Sequence, residues 1–410
     1  MNIVKIPEIL LPKKAVDLEK WAVVACDQFT SQPDYWEQLQ KFTKGAPSAF
    51  NLIFPEVYLN EDNDKRIESI NTCMRKYLND GIFDTIRDSF ILVERDTMYA
   101  KCRLGLILAV DLESYDYTPF SNAYIKATEG TIIERIPPRV KIRSNAPLEL
   151  PHIMLLIDDT ACDIIEPIYE NRQSLEVLYD TKLNMKGGHI KGYKVSNPNE
   201  IIKKLYALLD EKIQKEKYNT VTNFLFAVGD GNHSLATAKA HWDSIKAELS
   251  EADKTNHPAR FALVEVMNLH SKALVFEPIH RVIFNGGDQF ISDILNYCKG
   301  AGKMKLLYNG SEIILPVSEN KIEAIKQVQD FIDQYIKCNP SVKVDYVHGI
   351  DDLNEVCNAE NGIGLVMPTI DKCELFDYII RKGVLPRKSF SMGEAVEKRY
   401  YLEAKKIIKY

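Results

Sequence analysis

The chain is predicted to be α/β, with a mixed sheet and α+β elements, and two observations carry that class. Apolar runs of strand length recur without helical periodicity, notably over 102–115, 152–157 and 223–228. Between them lie stretches whose apolar residues fall on one helical face. A content of 45% hydrophobic and 27% charged residues is that of a globular chain and excludes collagen-like or low-complexity architectures. At roughly 150 residues per domain, 410 residues allow two or three domains or one elaborate one.

The elements follow in order. Short strands are expected at Trp21–Cys26 and Ser89–Glu94, with a helix at Lys65–Leu78. Cys102–Tyr115 reads as a strand buried on both faces. The Arg-rich stretch Thr128–Ser144 places Arg135, Arg139, Lys141 and Arg143 at the spacing of a solvated edge strand. His152–Ile157 is a further buried strand, and Asn199–Lys215 a helix after an Asn-Pro-Asn start. Helices at Phe290–Tyr297 and Ile322–Ile336 and a strand at Gly362–Met367 continue the alternation. No repeat or linker marks a boundary, so the division is drawn at 1–288, a main α/β domain, and 289–410, a smaller α/β subdomain with a basic terminal helix. Trp21, Trp36 and Trp242 are read as core residues.

Composition narrows the partners. No apolar stretch approaches the roughly 18 residues that span a bilayer, and Met1–Lys14 lacks the pattern of a secretory signal, so the expectation is a cytoplasmic protein with no membrane partner. The eight cysteines are scattered without a C-x-x-C, and the eight histidines without H-E-x-x-H, so neither zinc nor haem is expected and the cysteines read as small buried hydrophobes. The net charge of −6 disfavours a nucleic-acid-coating protein. Within it, Arg381–Tyr410 carries nine Lys/Arg against three Glu. That segment either meets a phosphate-bearing ligand or pairs with the body's own carboxylates.

The chemistry concentrates at Asn223–Val228, an apolar strand broken by Gly229-Asp230-Gly231-Asn232 and followed by Leu235, Ala238, Trp242 and Ile245 at helical spacing. Strand, glycine turn and helix place the free N–H groups and positive dipole end of the helix where a phosphate or carboxylate can bind. Asp230 could there hold Mg²⁺, and His233 could bind a phosphoryl oxygen or move a proton. Equally, Asp230 caps the helix, Gly231 supplies a positive φ and His233 is a satisfied side chain of the first turn. Neither G-x-x-x-x-G-K-[ST] nor G-x-G-x-x-G is present. Glu129 and His280-Arg281 have equally plain alternatives, a solvated loop carboxylate and a structural turn.

These residues also carry a resemblance. The sequence resembles the family called domain of unknown function 1015, whose hallmark is a strand ending in D-G-H-H-R. Here it reads Asp230-Gly231-Asn232-His233-Ser234, with Asn for the first His and Ser for the Arg. Upstream, the family's H-E-x-T with a later Arg corresponds to Thr128-Glu129-Gly130-Thr131 and Arg139. Its P-T-H-R corresponds to Pro278-Ile279-His280-Arg281, and its closing P-x-K-[ST] to Pro386-Arg387-Lys388-Ser389. The signature is more distantly similar to that of free-serine kinases of the ParB/sulfiredoxin superfamily. That similarity implies a ParB/sulfiredoxin-like core embedded in a larger chain, Glu129 as base on a substrate hydroxyl, and Asp230 and His233 on metal and phosphate. Gly231, Asn232 and Ser234 would line the nucleotide, with Arg139, His280, Arg281, Arg387 and Lys388 as further phosphate contacts replacing the missing Arg. The implied function is a small-molecule phosphotransferase using Mg²⁺ and ADP or ATP on a hydroxyl-bearing substrate. A non-catalytic anion-binding regulator and a ParB-like nucleic-acid-associated protein are the competitors, and a homo-oligomer stays open.

Overall fold

A computed structural model describes residues 2–59 and 63–409. The fold is mixed α/β, and the chain forms two compact units. The first comprises Met1–Ala127, Thr131–Leu274 and Glu394–Tyr410, and the second Thr128–Gly130 and Val275–Gly393.

In the first unit ten strands make one sheet: β1 (Val4–Lys5), β2 (Phe90–Asp96), β3 (Arg103–Asp111), β4 (Tyr115–Asp116), β5 (Ile125–Ala127), β6 (Met154–Ile157), β7 (Val177–Leu183), β8 (Gly188–Val195), β9 (Phe226–Asp230) and β10 (Phe261–Asn268). Their spatial order is β7-β8-β2-β3-β10-β6-β9-β5-β4, with β1 also on β3. β3 is buried at every position, which is why its sequence shows no alternation. Helices α1 (Asn63–Asn79), α2 (Ile136–Arg143), α3 (Pro198–Ala207), α4 (Glu211–Tyr218) and α5 (Asn232–Lys246) belong to this unit. Its core includes Trp21, Trp36, Trp242 and Phe226, so all three tryptophans are core residues.

The core also carries charge. Arg95, Arg103, Glu265, Glu397, Arg399 and Glu403 are all buried. Tyr401 accepts from Arg103 Nη2 at 2.7 Å and donates to Glu265 at 3.0 Å, and Tyr179 donates to Glu403 at 2.5 Å. Gly105 makes room for this cluster, because a Cβ there would lie 2.1 Å from Glu265 Oε1. Burial pushes the Glu403 carboxyl up to about 7.

The second unit has five strands: β11 (Ile279–Phe284), β12 (Gly302–Tyr308), β13 (Ser311–Val317), β14 (Lys343–His348) and β15 (Ile363–Val366), in the order β13-β12-β15-β11-β14. Helices α6 (Gly287–Tyr297), α7 (Lys321–Cys338), α8 (Ile350–Glu360) and α9 (Leu375–Lys382) accompany them. Phe290, Ile294, Val328, Ile332 and Leu365 are among its buried apolar residues.

Several expectations are corrected. The break expected at 288/289 falls inside the second unit, which begins at Val275 and takes in 128–130. Strand pairing decides this: Leu385 N–H donates to Thr128 O at 2.7 Å, and Glu129 bridges to Leu385 in parallel. The terminal segment rejoins the first unit, where 399–407 pairs with Val24, Leu10 and Leu148. The basic terminal helix stops at Lys382, where Gly383 takes φ +91°, and the chain beyond it is irregular apart from a 3-10 turn at Ala395–Glu397 and a two-residue strand at Lys405–Lys406. Trp21–Cys26 is the end of a short helix, Leu18–Trp21, and then extended chain bridged at Val24. The helix expected over 199–215 is two, because Asp210 accepts from Lys212 and Ile213 N–H and starts α4 afresh. The Arg-rich stretch is helical, since Pro137 and Pro138 stand at its start, where a missing N–H costs nothing. Of the cysteines, Cys298 and Cys357 are buried while Cys338 and Cys373 are exposed. Among the described residues no helix is long and apolar enough to cross a membrane.

Candidate functional site

The strand-turn-helix expected from sequence is present. β9 begins at Phe226 rather than Asn223 and runs through Asp230, flanked by β5 in parallel and β6 in antiparallel. Gly231 then turns the chain at φ +80° and starts α5 without a side-chain cap. Its left-handed backbone suits glycine, and a Cβ would sit 3.0 Å from Ile153 Cα. α5 is held in place by Leu235, Ala236, Ala238 and Trp242, all buried.

Asp230 faces two partners. Its Oδ1 accepts from the Gly231 N–H at 2.8 Å, and its Oδ2 lies 3.3 Å from Lys398 Nζ. Both oxygens are engaged, and the neighbouring positive charge is an ammonium. Among the described residues no group of three or more His, Cys, Asp or Glu is arranged to hold a metal. Asp230 is the carboxylate at this turn that a Mg²⁺ ion would use, the rest of its shell coming from waters and phosphate oxygens. His233 Nε2 accepts from the Ile132 N–H at 3.3 Å, so the ring clasps the segment entering α2. Among the described residues, the buried Asn232 Oδ1 has no hydrogen-bond partner.

Ser234 Oγ lies 2.8 Å from Nε2 of His152, a residue that sequence reasoning passed over as the first letter of an apolar run. The His152 ring stands edge-on to Tyr400, centroids 4.8 Å apart. Asp27 is drawn into the same field. Dehydration raises its carboxyl, but His152, Gln28 and Lys398 together hold it below the usual range. Beside this group opens a cavity of about 160 Å³. Its walls are apolar, with Leu52, Ile53, Met74 and Leu148 among them, and its polar side is made by Glu56, Arg139, His152, Ser234, Thr237 and Tyr400. Arg139 is spent on an ion pair with Glu56 and a 2.8 Å bond to Arg135 O. Burial, and then the Asp27 charge, push the Glu56 carboxyl up, against the pull of Arg139. Burial likewise raises the Cys26 thiol far above its ordinary value, leaving it protonated.

The remaining expected residues lie in the second unit. Glu129 Oε1 accepts from the Ser389 N–H at 3.1 Å. Burial raises its carboxyl, while the backbone and charge of Lys388, the Ser389 N–H and Arg281 pull the other way. Lys388 itself is exposed and takes φ +56°. His280 and Arg281 form no turn: both are buried in β11. His280 Nδ1 accepts from the Met367 N–H at 3.1 Å, and burial lowers the ring's basicity. Arg281 donates to Gln329 Oε1 at 3.2 Å, to Arg387 O at 3.0 Å and to Ile279 O, and burial pushes it down to about 10. Arg387 pairs with Asp333.

The structure thus groups Asp230, Gly231, Asn232, His233, Ser234 and Arg139 in the first unit, and Glu129, His280, Arg281, Arg387 and Lys388 in the second. Sequence reasoning missed His152, Asp27 and Lys398. Only Lys398 had a signal, its place in the basic terminal segment.

Comparison with known proteins adds a family. A family model described as "Protein of unknown function (DUF1015)" matches residues 10–344. No curated protein matches. Among solved structures the chain is similar to a conserved hypothetical protein from Pyrococcus furiosus, at 8% identity and a TM-score of 0.39, covering 74% of this chain and 95% of that one. It is similar to a free serine kinase in complex with AMP, at 8% identity and a TM-score of 0.41, over 74% and 91%. It is also similar to C-terminally truncated SbnI from Staphylococcus aureus, at 9% identity and a TM-score of 0.38, over 70% and 82%. At such distances what those proteins bind is a property of theirs alone.

Proposed function

The chain belongs to the DUF1015 family, and from its own residues we propose that it grips the phosphate of a nucleotide at the start of α5 and acts as a phosphotransferase on a small hydroxyl-bearing molecule. One observation carries this reading. The α5 start has no side-chain cap, so its leading N–H groups have no side-chain acceptor, and the Lys398 ammonium lies close by, 3.3 Å from Asp230 Oδ2. Helix N–H groups and an ammonium together favour an anion. Charge neutralisation comes from Lys398 and the helix start. Catalysis of phosphoryl transfer rests on positioning and electrostatics, which such a site supplies.

The test is a thermal-shift titration of the whole protein with ADP and ATP, with and without Mg²⁺. A bound nucleotide stabilises the native state by RT ln(1 + [L]/Kd), so the melting temperature rises. No rise at millimolar nucleotide overturns the reading. If binding is found, transfer to an acceptor panel tests the second half of the reading: a phosphorylated acceptor is expected, and none with any acceptor overturns the phosphotransferase assignment.

A second reading, anion binding without turnover, is favoured by a specific observation. The Glu129 carboxylate is already tied to backbone N–H groups at 388–389, as Asp230 is to Lys398. Binding with no transfer to any acceptor would select it. The third, nucleic-acid association through the basic segment, loses most of its charge to internal pairs and burial. Arg381 pairs with Asp377, Arg387 with Asp333, Lys398 with Asp230, Lys405 with Glu149 and Lys409 with Asp253, while Arg399 is buried.

A further inference from the structure

The Ser234–His152 contact has chemistry of its own. A serine hydroxyl is a weak nucleophile until a base shares its proton within hydrogen-bond reach. At 2.8 Å from His152 Nε2, Ser234 Oγ meets that condition. The serine stands in the first turn of α5, whose leading N–H groups have no intrahelical acceptor and can receive a developing oxyanion. It faces the cavity of about 160 Å³, whose walls at Leu52, Ile53, Met74 and Leu148 suit a hydrocarbon group. Cys26, the other nucleophilic atom lining that cavity, is excluded, because burial holds its thiol protonated and its sulfur accepts from Tyr400 OH at 3.0 Å.

We propose that Ser234 and His152 form a nucleophile–base dyad that cleaves esters of short apolar carboxylic acids, the acyl chain lying in the cavity beside α5. Neutral His152, with its proton on Nδ1, accepts the Ser234 proton at Nε2 as Oγ bonds to the ester carbon. The carbonyl π pair moves to oxygen, which the α5 N–H groups receive. Collapse breaks the bond from carbon to the alcohol oxygen, and His152 returns its proton to the departing alcohol. Water then attacks the acyl-serine, giving one proton to His152 Nε2, and the second collapse releases the acid and restores the hydroxyl. His152 Nδ1 has no hydrogen-bond partner among the described residues, so the pair is a dyad. The inference does not rest on nucleotide binding: acyl chemistry and nucleotide-induced stabilisation read out separately, and either can fail alone.

The experiment treats the full chain with an alkyl fluorophosphonate and locates the adduct by tandem mass spectrometry, alongside hydrolysis of p-nitrophenyl butyrate and p-nitrophenyl dodecanoate. A single adduct on Ser234 is expected, with butyrate cleaved faster than dodecanoate, whose chain outgrows the cavity. Ser234→Ala should lose adduct and hydrolysis together, and His152→Gln should slow both about 100-fold or more, the usual contribution of a positioned base. Adduct formation elsewhere, no adduct, or hydrolysis unchanged in Ser234→Ala overturns the proposal. Should the alanine variant misfold, the position of the adduct on the unmodified chain decides.

Discussion

At the start of α5, polar side chains keep hydrogen-bonding capacity unused: among the described residues Asn232 Oδ1 and His152 Nδ1 have no partner, and Ser234, which faces the cavity, is shared with a histidine. Along β11 the polar side chains are consumed. Arg281 gives its donors to Gln329, Ile279 and Arg387 and His280 accepts from Met367, while beside them the Arg387 charge meets Asp333 and leaves its Nε without a partner among the described residues. Both regions carry the residue types of phosphate chemistry. The difference teaches that such a residue acts on a ligand only where the fold leaves its capacity unused, since a buried donor already matched would lose a bond to gain one.

The largest expected effect separates the two. Arg281→Met strips Gln329 and two backbone carbonyls of their donor in a dry core, and denaturant unfolding should register a loss of about 3–5 kcal/mol. Ser234→Ala leaves one imidazole nitrogen to a cavity that water can enter, and should cost about 1 kcal/mol or less. A loss below about 1 kcal/mol for Arg281→Met would show that β11 also holds its arginine loosely, and the contrast would fail.

A second test uses the buried cluster of the first unit. Glu403 keeps its proton up to about pH 7 when folded but loses it near 4.5 when unfolded, so its contribution is present below pH 4.5 and is lost as pH rises to 7, about 3 kcal/mol in all. His241, pushed by burial down to about 4, has the opposite sign: the unfolded chain binds a proton below pH 6.5 that the folded chain refuses until about pH 4. The two slopes oppose between pH 4.5 and 6.5. Glu403→Gln removes one, so across that window the variant's stability should climb with pH more steeply than that of the unmodified chain. Parallel curves would show that Glu403 is ionised at pH 5.

Much of this was legible in the chain. The runs at 102–115 and 152–157 gave β3 and β6 because strands buried on both faces have no polar side to show, and the glycine turn after β9 announced itself through Gly231. The four residues from Arg135 to Arg139, and again from Arg139 to Arg143, are the step of one helix face, but the proline pair masked it. What could not be read is which distant residue meets which. His152 reaches Ser234 through the pairing of β6 with β9, and Lys398 reaches Asp230 because the terminal segment runs back through the first unit. Neither contact leaves a local pattern. The chain could likewise nominate Arg281 but not disclose that burial had spent it.

Gly231→Ala is the next smaller effect. Holding an alanine at φ +80° costs about 1–2 kcal/mol, and its Cβ would press on Ile153, so a modest fall in melting temperature should accompany weakened anion binding. An unchanged melting temperature would mean the turn can relax, and that the α5 start is less fixed than β11.

The smallest effect tells the two possible cations of this site apart. If Lys398 is the positive group that meets a phosphate, Lys398→Ala should weaken ADP binding about tenfold, worth about 1.4 kcal/mol. Asp230→Asn, which removes the carboxylate competing for that ammonium at 3.3 Å, should tighten it, with or without Mg²⁺. A carboxylate that instead recruits a divalent ion predicts the reverse sign: Asp230→Asn would weaken binding, and only when Mg²⁺ is present. Calorimetric titration of the two variants, each with Mg²⁺ and with chelator, compares four affinities whose order differs between the cases. Weaker binding by the Asn variant in Mg²⁺ alone would return the metal to Asp230 and leave Lys398 as its structural counter-ion.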